Sequence, residues 1–185
     1  FKAEGEAIWL IGHQSAALGQ SLWLRECGGH EAGNPPPVNL ENERTAASLV
    51  RQLIADRLLT AVHDVSDGGL AVALAEMALA GRIGIRVFQE DWKQTATSFL
   101  FSEWQGCYVV GAAKDCDVQK LAENAGTTAL LIGETDKDGE FFSFDSPDTL
   151  DDGKLIKEGP SFWLELATLR AAHEGFFPTL MGKSA

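Results

Sequence analysis

A polar turn at residues 63–70 carries the side chains best suited to ligand chemistry. Its sequence, HDVSDGGL, places an imidazole, a hydroxyl and two carboxylates between a β-branched run and an apolar helical run. Free amides at a helix N-terminus bind phosphate, and acidic side chains hold a magnesium ion that bridges phosphates. A structural turn explains the same residues, with Asp67 capping the helix and Gly68 and Gly69 permitting close packing. The spacing alone leaves both interpretations open.

A second polar segment, SEWQ at residues 102–105, interrupts two apolar runs. Glu103 and Gln105 offer a carboxylate and a carboxamide that can hydrogen-bond a sugar or an amide substrate from one turn. The alternative is an exposed connection with Trp104 folded back on the core. The four histidines show no metal-ligand spacing, and no P-loop or Rossmann fingerprint is present.

The composition restricts the class of protein. The chain has 185 residues, of which 45% are hydrophobic and 23% charged, as in one ordinary globular domain. A formal charge of −12 disfavours nucleic acid and anionic membranes as partners, although a local pocket could still hold a nucleotide. Three widely spaced cysteines without a C-x-x-C pair favour reduced thiols, and no apolar run approaches a membrane span or a signal peptide. We therefore expect a cytoplasmic protein.

The hydrophobic pattern predicts alternating strands and helices that must position these two polar segments. Strands are predicted over 7–11, 60–65, 83–88, 99–101, 107–110, 128–132 and 140–144, the last as the return strand of a hairpin over 137–139. Helices are predicted over 18–25, 40–58, 70–80, 117–124 and from Pro160 through Leu169. The 40–58 helix is expected to begin at an Asn39 cap, and the 70–80 helix is apolar enough to be buried nearly all round. No repeat or low-complexity linker divides residues 1–185, which predicts a single domain.

Five segments carry a resemblance to a known family. They are HDVSDGGLAVALAEM at 63–77, LGQS at 18–21, PPPV at 35–38, FSE with Gln105 at 101–105, and LRAAHEGFFP at 169–178. Together they closely resemble the C-terminal segment of the small synthetase subunit of phosphoribosylformylglycinamidine synthase. The resemblance covers most of the chain.

The resemblance implies a fold, an activity and partners. The fold is α+β, a mixed β-sheet flanked by helices, as in the C-terminal domain of the aminoimidazole ribonucleotide synthetase-like superfamily. Residues 1–185 would be the last of four domains, a C-terminal fragment of a longer enzyme. That enzyme is an ATP-dependent carbon-nitrogen ligase of purine biosynthesis, which converts formylglycinamide ribonucleotide, ATP and glutamine-derived ammonia to formylglycinamidine ribonucleotide. ATP and Mg²⁺ would serve the full enzyme, and the partners would be sibling domains, a glutaminase subunit and a small accessory subunit.

The resemblance places no catalytic residue in this chain, because the catalytic histidine of the family lies in other domains. It implies instead a second, non-catalytic pseudo-site with Asp64 as a metal ligand. The pseudo-site would be lined by Ser102, Glu103, Gln105, Asp67, Gly68 and Gly69. Two residues depart from the family pattern: His13 stands where an aspartate is usual, and Trp104 stands where the residue is usually small or polar, so that its bulk could fill the pocket. The isolated chain is expected to show no turnover.

Two alternatives remain open at this point. One is a stand-alone interaction module that dimerises through an exposed apolar patch without nucleotide. The other keeps the superfamily but changes the substrate, as in thiamine-monophosphate kinase, selenophosphate synthetase or hydrogenase-maturation proteins, which share a glycine-rich turn. The segment 102–105 and the tail at 170–175 favour the purine enzyme.

Overall fold

The secondary structure is taken from a computed structural model that describes residues 1–88, 95–136, 141–145, 149–151, 154–156, 160–175 and 180–182. The strands are β1 Ala7–Ile11, β2 Leu59–Asp64, β3 Ile85–Val87, β4 Tyr108–Ala112, β5 Ala129–Thr135, β6 Phe141–Asp145, β7 Thr149–Asp151, β8 Lys154–Ile156 and β9 Pro160–Glu165. The helices are α1 Leu22–Glu26, α2 Leu40–Ala55, α3 Gly69–Gly81, α4 Ala96–Phe101, α5 Val118–Ala125 and α6 Leu166–Glu174.

Seven strands form one mixed sheet in the order β2-β4-β1-β5-β3-β6-β9, and β7 pairs with β8 in a separate ribbon. The β3–β6 pair is parallel, whereas the other pairs in the large sheet are antiparallel. The expected α+β class with a mixed sheet flanked by helices is confirmed. None of the helices in the described ranges is long and apolar enough to cross a membrane.

The strand β1 lies in the interior of the sheet, between β4 and β5, and is buried on both faces. All five of its residues are buried, because alternate side chains enter two different cores. Ile8 and Leu10 join a cluster with α3 and α4. Trp9 and Ile11 join a second cluster with α2 and α5 on the opposite face. A continuous apolar run is therefore the expected sequence for this position.

The helix α2 follows the predicted amphipathic pattern over most of its length. The Asn39 side chain accepts hydrogen bonds from the amides of Glu41 and Asn42, which confirms the predicted cap. The helix ends at Ala55, earlier than expected. Ile54 and Leu58, assigned to the core by their spacing, are 50% and 39% exposed. Ile54 lies within the last turn of α2 and Leu58 beyond its end, so the amphipathic spacing fails from the last turn onward.

Three predicted elements differ from the structure. Residues 99–101 are part of the helix α4 and not a strand, because a three-residue apolar run has no periodicity that distinguishes the two. The segment after Pro160 begins as the strand β9, which pairs with β6, and the helix starts only at Leu166. The expected hairpin of β5 and β6 is also wrong, because β3 lies between them. The loop 137–139 of that hairpin and the tail at 176–178 lie outside the described residues.

The helix α3 packs closely on the end of α4 through a glycine. Gly69 has a φ of +73°, and a Cβ at this position would lie 2.8 Å from the Leu100 carbonyl oxygen and from backbone atoms of Phe101. Seven residues of α3 are buried, but Val72 is 39% exposed. The expectation that this helix is buried nearly all round is therefore only partly met. The backbone contact explains why a glycine is required where the helix begins.

Gly69→Ala is expected to destabilise the protein more than the same substitution at a left-handed glycine whose added Cβ would contact no backbone atom. A left-handed alanine costs about 1–2 kcal/mol, and the collision with α4 adds about 1–3 kcal/mol. Gly126→Ala is the matched control, since Gly126 has a φ of +79° with no atom within 4 Å of the added Cβ. Urea unfolding of both variants measures the difference. Equal losses would contradict the close-packing role.

The thiol of Cys107 is expected to be inert in the folded protein. Its side chain is buried and donates a hydrogen bond to the His13 carbonyl oxygen at 3.3 Å. Burial raises the pKa of this thiol to about 12, so at pH 8 only about one molecule in ten thousand carries the reactive thiolate. Iodoacetamide should therefore alkylate the exposed Cys27 in the native state and Cys107 only after unfolding, as peptide mass spectrometry would show. Equal native rates would contradict this assignment.

Candidate functional site

The turn between β2 and α3 is held by backbone bonds rather than by its acidic side chains. The amide of Val65 donates to the Cys107 carbonyl oxygen, and the amide of Gly69 donates to that of Ser66, both at 2.9 Å. Gly68 is the N-cap residue of α3, with a φ of +80° and no side chain to cap the helix. The alternative in which Asp67 caps the helix is therefore wrong, and the Asp67 side chain is exposed.

The Glu103 carboxylate caps the turn from a distant part of the chain. Its Oε1 accepts a hydrogen bond from the Gly68 amide at 2.9 Å and another from the Leu22 amide at 2.8 Å. The first of these amides lies at the start of α3 and the second at the start of α1. Charge-assisted hydrogen bonds of this kind are stronger than neutral ones, and a negative charge at a helix N-terminus is favoured by the helix dipole. Glu103 thus joins two helix starts through one oxygen.

Trp104 fixes the long connection between β1 and α2 to the same segment. Its ring is 1% exposed and meets Phe99 edge to face, with centroids 5.5 Å apart. Its indole Nε1 donates a hydrogen bond to the Ser15 carbonyl oxygen. Trp23 of α1 also stacks on Phe101, at a centroid distance of 6.2 Å. Trp104 folds back on the core as that alternative expected, but the segment is not an exposed connection, because Ser102 is also buried and Glu103 is half-buried.

The remaining side chains of the segment do not converge with Glu103. Ser102 is fully buried, and its Oγ has no hydrogen-bond partner among the described residues. The Ser102 amide donates to the Ser98 carbonyl oxygen at 3.2 Å, which closes the end of α4. Gln105 is exposed. The structure therefore brings Glu103 to Gly68, whereas Ser102 is buried in the interior and Gln105 is exposed to solvent.

Asp64, the predicted metal ligand, lies at the exposed end of β2 beside His63. The His63 Nε2 lies 3.1 Å from Glu76 Oε2, and its Nδ1 lies 2.6 Å from the Asp64 carbonyl oxygen. Across the described ranges, no group of three or more His, Cys, Asp or Glu side chains could hold a metal ion. The residues around Asp64 therefore do not form a magnesium site by themselves, and the metal assignment stays a prediction.

The His63–Glu76 contact was not anticipated from the sequence. Its signal was present, because the alternation along β2 places His63 on the half-buried side, and Glu76 is the one charged residue within α3. The pair ties an edge strand to the helix that follows it. His13, the second departure from the family pattern, has an exposed side chain.

The amide at the start of α3 that could bind an anionic ligand is instead bonded within the protein. A phosphate can bind at a helix N-terminus only where the terminal amides are free. Here the Gly68 amide already bonds the protein's own carboxylate. A phosphate group would therefore have to displace Glu103 from this amide.

Replacing Glu103 is expected to destabilise the protein in proportion to the acceptor that is lost. Glu103→Ala leaves two partly buried amides without their partner and should lower the free energy of unfolding by about 2 kcal/mol. Glu103→Gln retains a neutral acceptor and should cost about half as much. Glu123→Ala on the exposed side of α5 is the control, with an expected change within about 0.5 kcal/mol. Thermal or urea unfolding measures the free energy of unfolding of the three variants. A Glu103→Ala variant as stable as Glu123→Ala would show that the bonds of Glu103 to the two amides do not stabilise the fold.

Solved structures share this fold at low sequence identity. Thermotoga maritima PurL complexed with ATP aligns over 91% of this chain and 26% of its own, with a TM-score of 0.67 and 13% identity. The same protein complexed with FGAR gives a TM-score of 0.66 at 14% identity, over 91% of this chain and 28% of its own. Escherichia coli HypE, a hydrogenase maturation protein, gives 0.53 at 18% identity, over 85% of this chain and 49% of its own. At these identities the likeness concerns the fold alone.

Curated relatives are more similar in sequence. Phosphoribosylformylglycinamidine synthase subunit PurL of Zymomonas mobilis is 40% identical over 182 residues, which is 98% of this chain and 22% of the relative. The protein of the same name from Rhodopseudomonas palustris strain TIE-1 is 41% identical over 185 residues, again 98% of this chain and 23% of the relative. The chain thus spans less than a quarter of the length of these relatives. The family model described as AIR synthase related protein, C-terminal domain, matches residues 3–146. The chain belongs to this family of AIR synthase related C-terminal domains.

Proposed function

We propose that residues 1–185 are the C-terminal domain of a phosphoribosylformylglycinamidine synthase. The full enzyme would be an ATP-dependent carbon-nitrogen ligase that converts formylglycinamide ribonucleotide and glutamine-derived ammonia to formylglycinamidine ribonucleotide. The observation that carries this proposal is the 40% identity to a PurL subunit over 98% of the chain. The same relatives favour the purine enzyme over superfamily members that act on other substrates.

Within that enzyme, the chain contributes structure and surfaces rather than reacting groups. The segment 102–105 supports this, because its Glu103 bonds two backbone amides and its Trp104 is buried in the core. In the pseudo-site of Ser102, Glu103, Gln105 and the turn 67–69, a phosphate would compete with the Glu103 carboxylate for the Gly68 amide.

The cofactors and partners belong to the proposed full-length enzyme. ATP is supported by the ATP complex of Thermotoga maritima PurL, and Mg²⁺ would accompany the nucleotide. A glutaminase and a small accessory subunit are proposed as partners, and a PurLQS structure from the same organism supports an assembly of that kind. Such an enzyme would work in the cytoplasm.

A chimeric enzyme tests the proposal. The 182-residue matched segment of the Zymomonas mobilis PurL is replaced by this chain, and ATP-dependent formation of formylglycinamidine ribonucleotide is measured with ammonium chloride as the nitrogen source. We expect turnover by the chimera and none by the isolated chain. The relative with its matched segment deleted is the negative control. A folded chimera without turnover, beside an active parent enzyme, would contradict the proposal.

A further inference from the structure

The connection from β1 to α2 contains a loop whose two ends meet. The Gln20 amide donates a hydrogen bond to the Ala32 carbonyl oxygen at 3.1 Å. Gly19 and Asn34 lie so close together that a Cβ added at Gly19 would collide with the Asn34 carbonyl oxygen. A surface loop that closes on itself in this way is an Ω-loop. We call residues 20–33 the flap and the contacts that close it the neck.

The flap carries its own local structure. It contains the short helix α1, which begins after a Ser21 cap whose Oγ accepts a hydrogen bond from the Leu24 amide at 3.3 Å. At the end of α1 the Cys27 amide donates to the Trp23 carbonyl oxygen at 2.9 Å. These bonds, like the bond at the neck, join residues of the flap to one another, so they do not require the flap to lie against the sheet.

The flap contributes nothing to the hydrophobic interior that the structure describes. Neither of the two hydrophobic clusters includes a residue from 13–45, even as a partly buried neighbour. Residues 25–33 are all exposed. A segment with few buried apolar contacts opens at a lower free energy than the whole fold. The flap can therefore leave the surface while both clusters stay packed.

Two contacts hold the flap against the described part of the domain. The Leu22 amide donates to Glu103 Oε1 at 2.8 Å, and the Trp23 ring stacks on Phe101 at a centroid distance of 6.2 Å. Both acceptor and ring partner lie within 101–103, at and just beyond the end of α4. We call these two contacts the latch.

The start of the same connection is fixed independently of the latch. The Thr128 Oγ1 donates to the Gly12 carbonyl oxygen at 2.8 Å, and the Trp104 indole Nε1 donates to that of Ser15. The chain is thus anchored before the neck and held again only at the latch, so a movement of the flap is confined to the residues after Ser15.

We propose that the flap is a movable element that swings away from the domain as one unit when the latch breaks. Glu103 then keeps the Gly68 amide as a partner, so the start of α3 stays in place. The Phe101 ring and the Leu22 amide lose their partners in the flap and become accessible. The fold therefore holds a surface that is available only while the flap is open. This inference does not depend on the proposed function.

Hydrogen exchange of the Leu22 amide in the 185-residue chain tests the proposal. This amide reports on the latch, because its acceptor lies outside the flap. Its exchange and that of the β1 amides are measured by NMR at several urea concentrations below the unfolding midpoint. We expect Leu22 to exchange more slowly than an unstructured peptide and almost independently of urea, because flap opening exposes little surface. The β1 amides should exchange faster as urea is added.

Two substitutions separate flap opening from unfolding. Trp23→Ala removes the ring stack and should speed Leu22 exchange about tenfold. Gly126→Ala strains the left-handed residue that ends α5, which destabilises the closed and the open forms equally relative to the unfolded chain. It should therefore speed exchange of the β1 amides and leave Leu22 exchange unchanged.

Three results would overturn the proposal. Leu22 exchange that rises with urea, or that rises with the β1 amides in Gly126→Ala, would show that the flap opens only when the whole fold does. Exchange at the rate of an unstructured peptide in the unsubstituted chain would show that the latch does not close. An unchanged rate in Trp23→Ala would show that the Leu22 bond breaks by itself and that the flap does not move as a unit.

Discussion

The bond between one Glu103 oxygen and two backbone amides organises this side of the molecule. Gly68 opens α3 without a side chain, so the start of a mostly apolar helix depends on an acceptor from elsewhere in the sequence. Glu103 supplies it and, through Leu22, holds the connection that leads from β1 to α2. Gly69, next to the amide that Glu103 accepts from, allows α3 to lie against the α4 backbone. The carboxylate bond and the close packing therefore meet at the start of α3.

The same residues show why a polar motif alone does not predict whether its side chains bind a ligand or stabilise the fold. An acidic residue, a hydroxyl and a glycine-rich turn suit a phosphate site and a helix start equally well, because both require hydrogen bonds at terminal amides. The sequence could not show that Glu103 comes within reach of Gly68, 35 residues away. Asp67 was the nearer candidate for the cap and lies exposed instead. Local spacing describes which groups are available, and the tertiary fold decides which of them meet.

The elements that could be predicted are those with a long pattern or a local signal. The buried strand β1 and the Asn39 cap of α2 depend on neighbouring residues only, and both were found where the sequence placed them. The segment 160–165 was expected to be helical, and it is a strand because β6 offers it a partner. Residues 99–101 are too few to show a period. The α6 residues that follow β9 lie beyond the segment matched by the family model, yet Leu166 enters the core.

The position of β1 between β4 and β5 also has a consequence for how the chain is made. Its two neighbours in the sheet, β4 and β5, lie roughly 100 residues further along the chain, so β1 emerges from the ribosome long before either can pair with it. At about 5–20 residues per second, translation leaves this apolar strand without its sheet for roughly 5–20 s. The core on both faces of β1 must therefore be assembled late, after most of the chain has been synthesised. During that interval its apolar side chains and unpaired backbone groups are accessible to chaperones and to other chains.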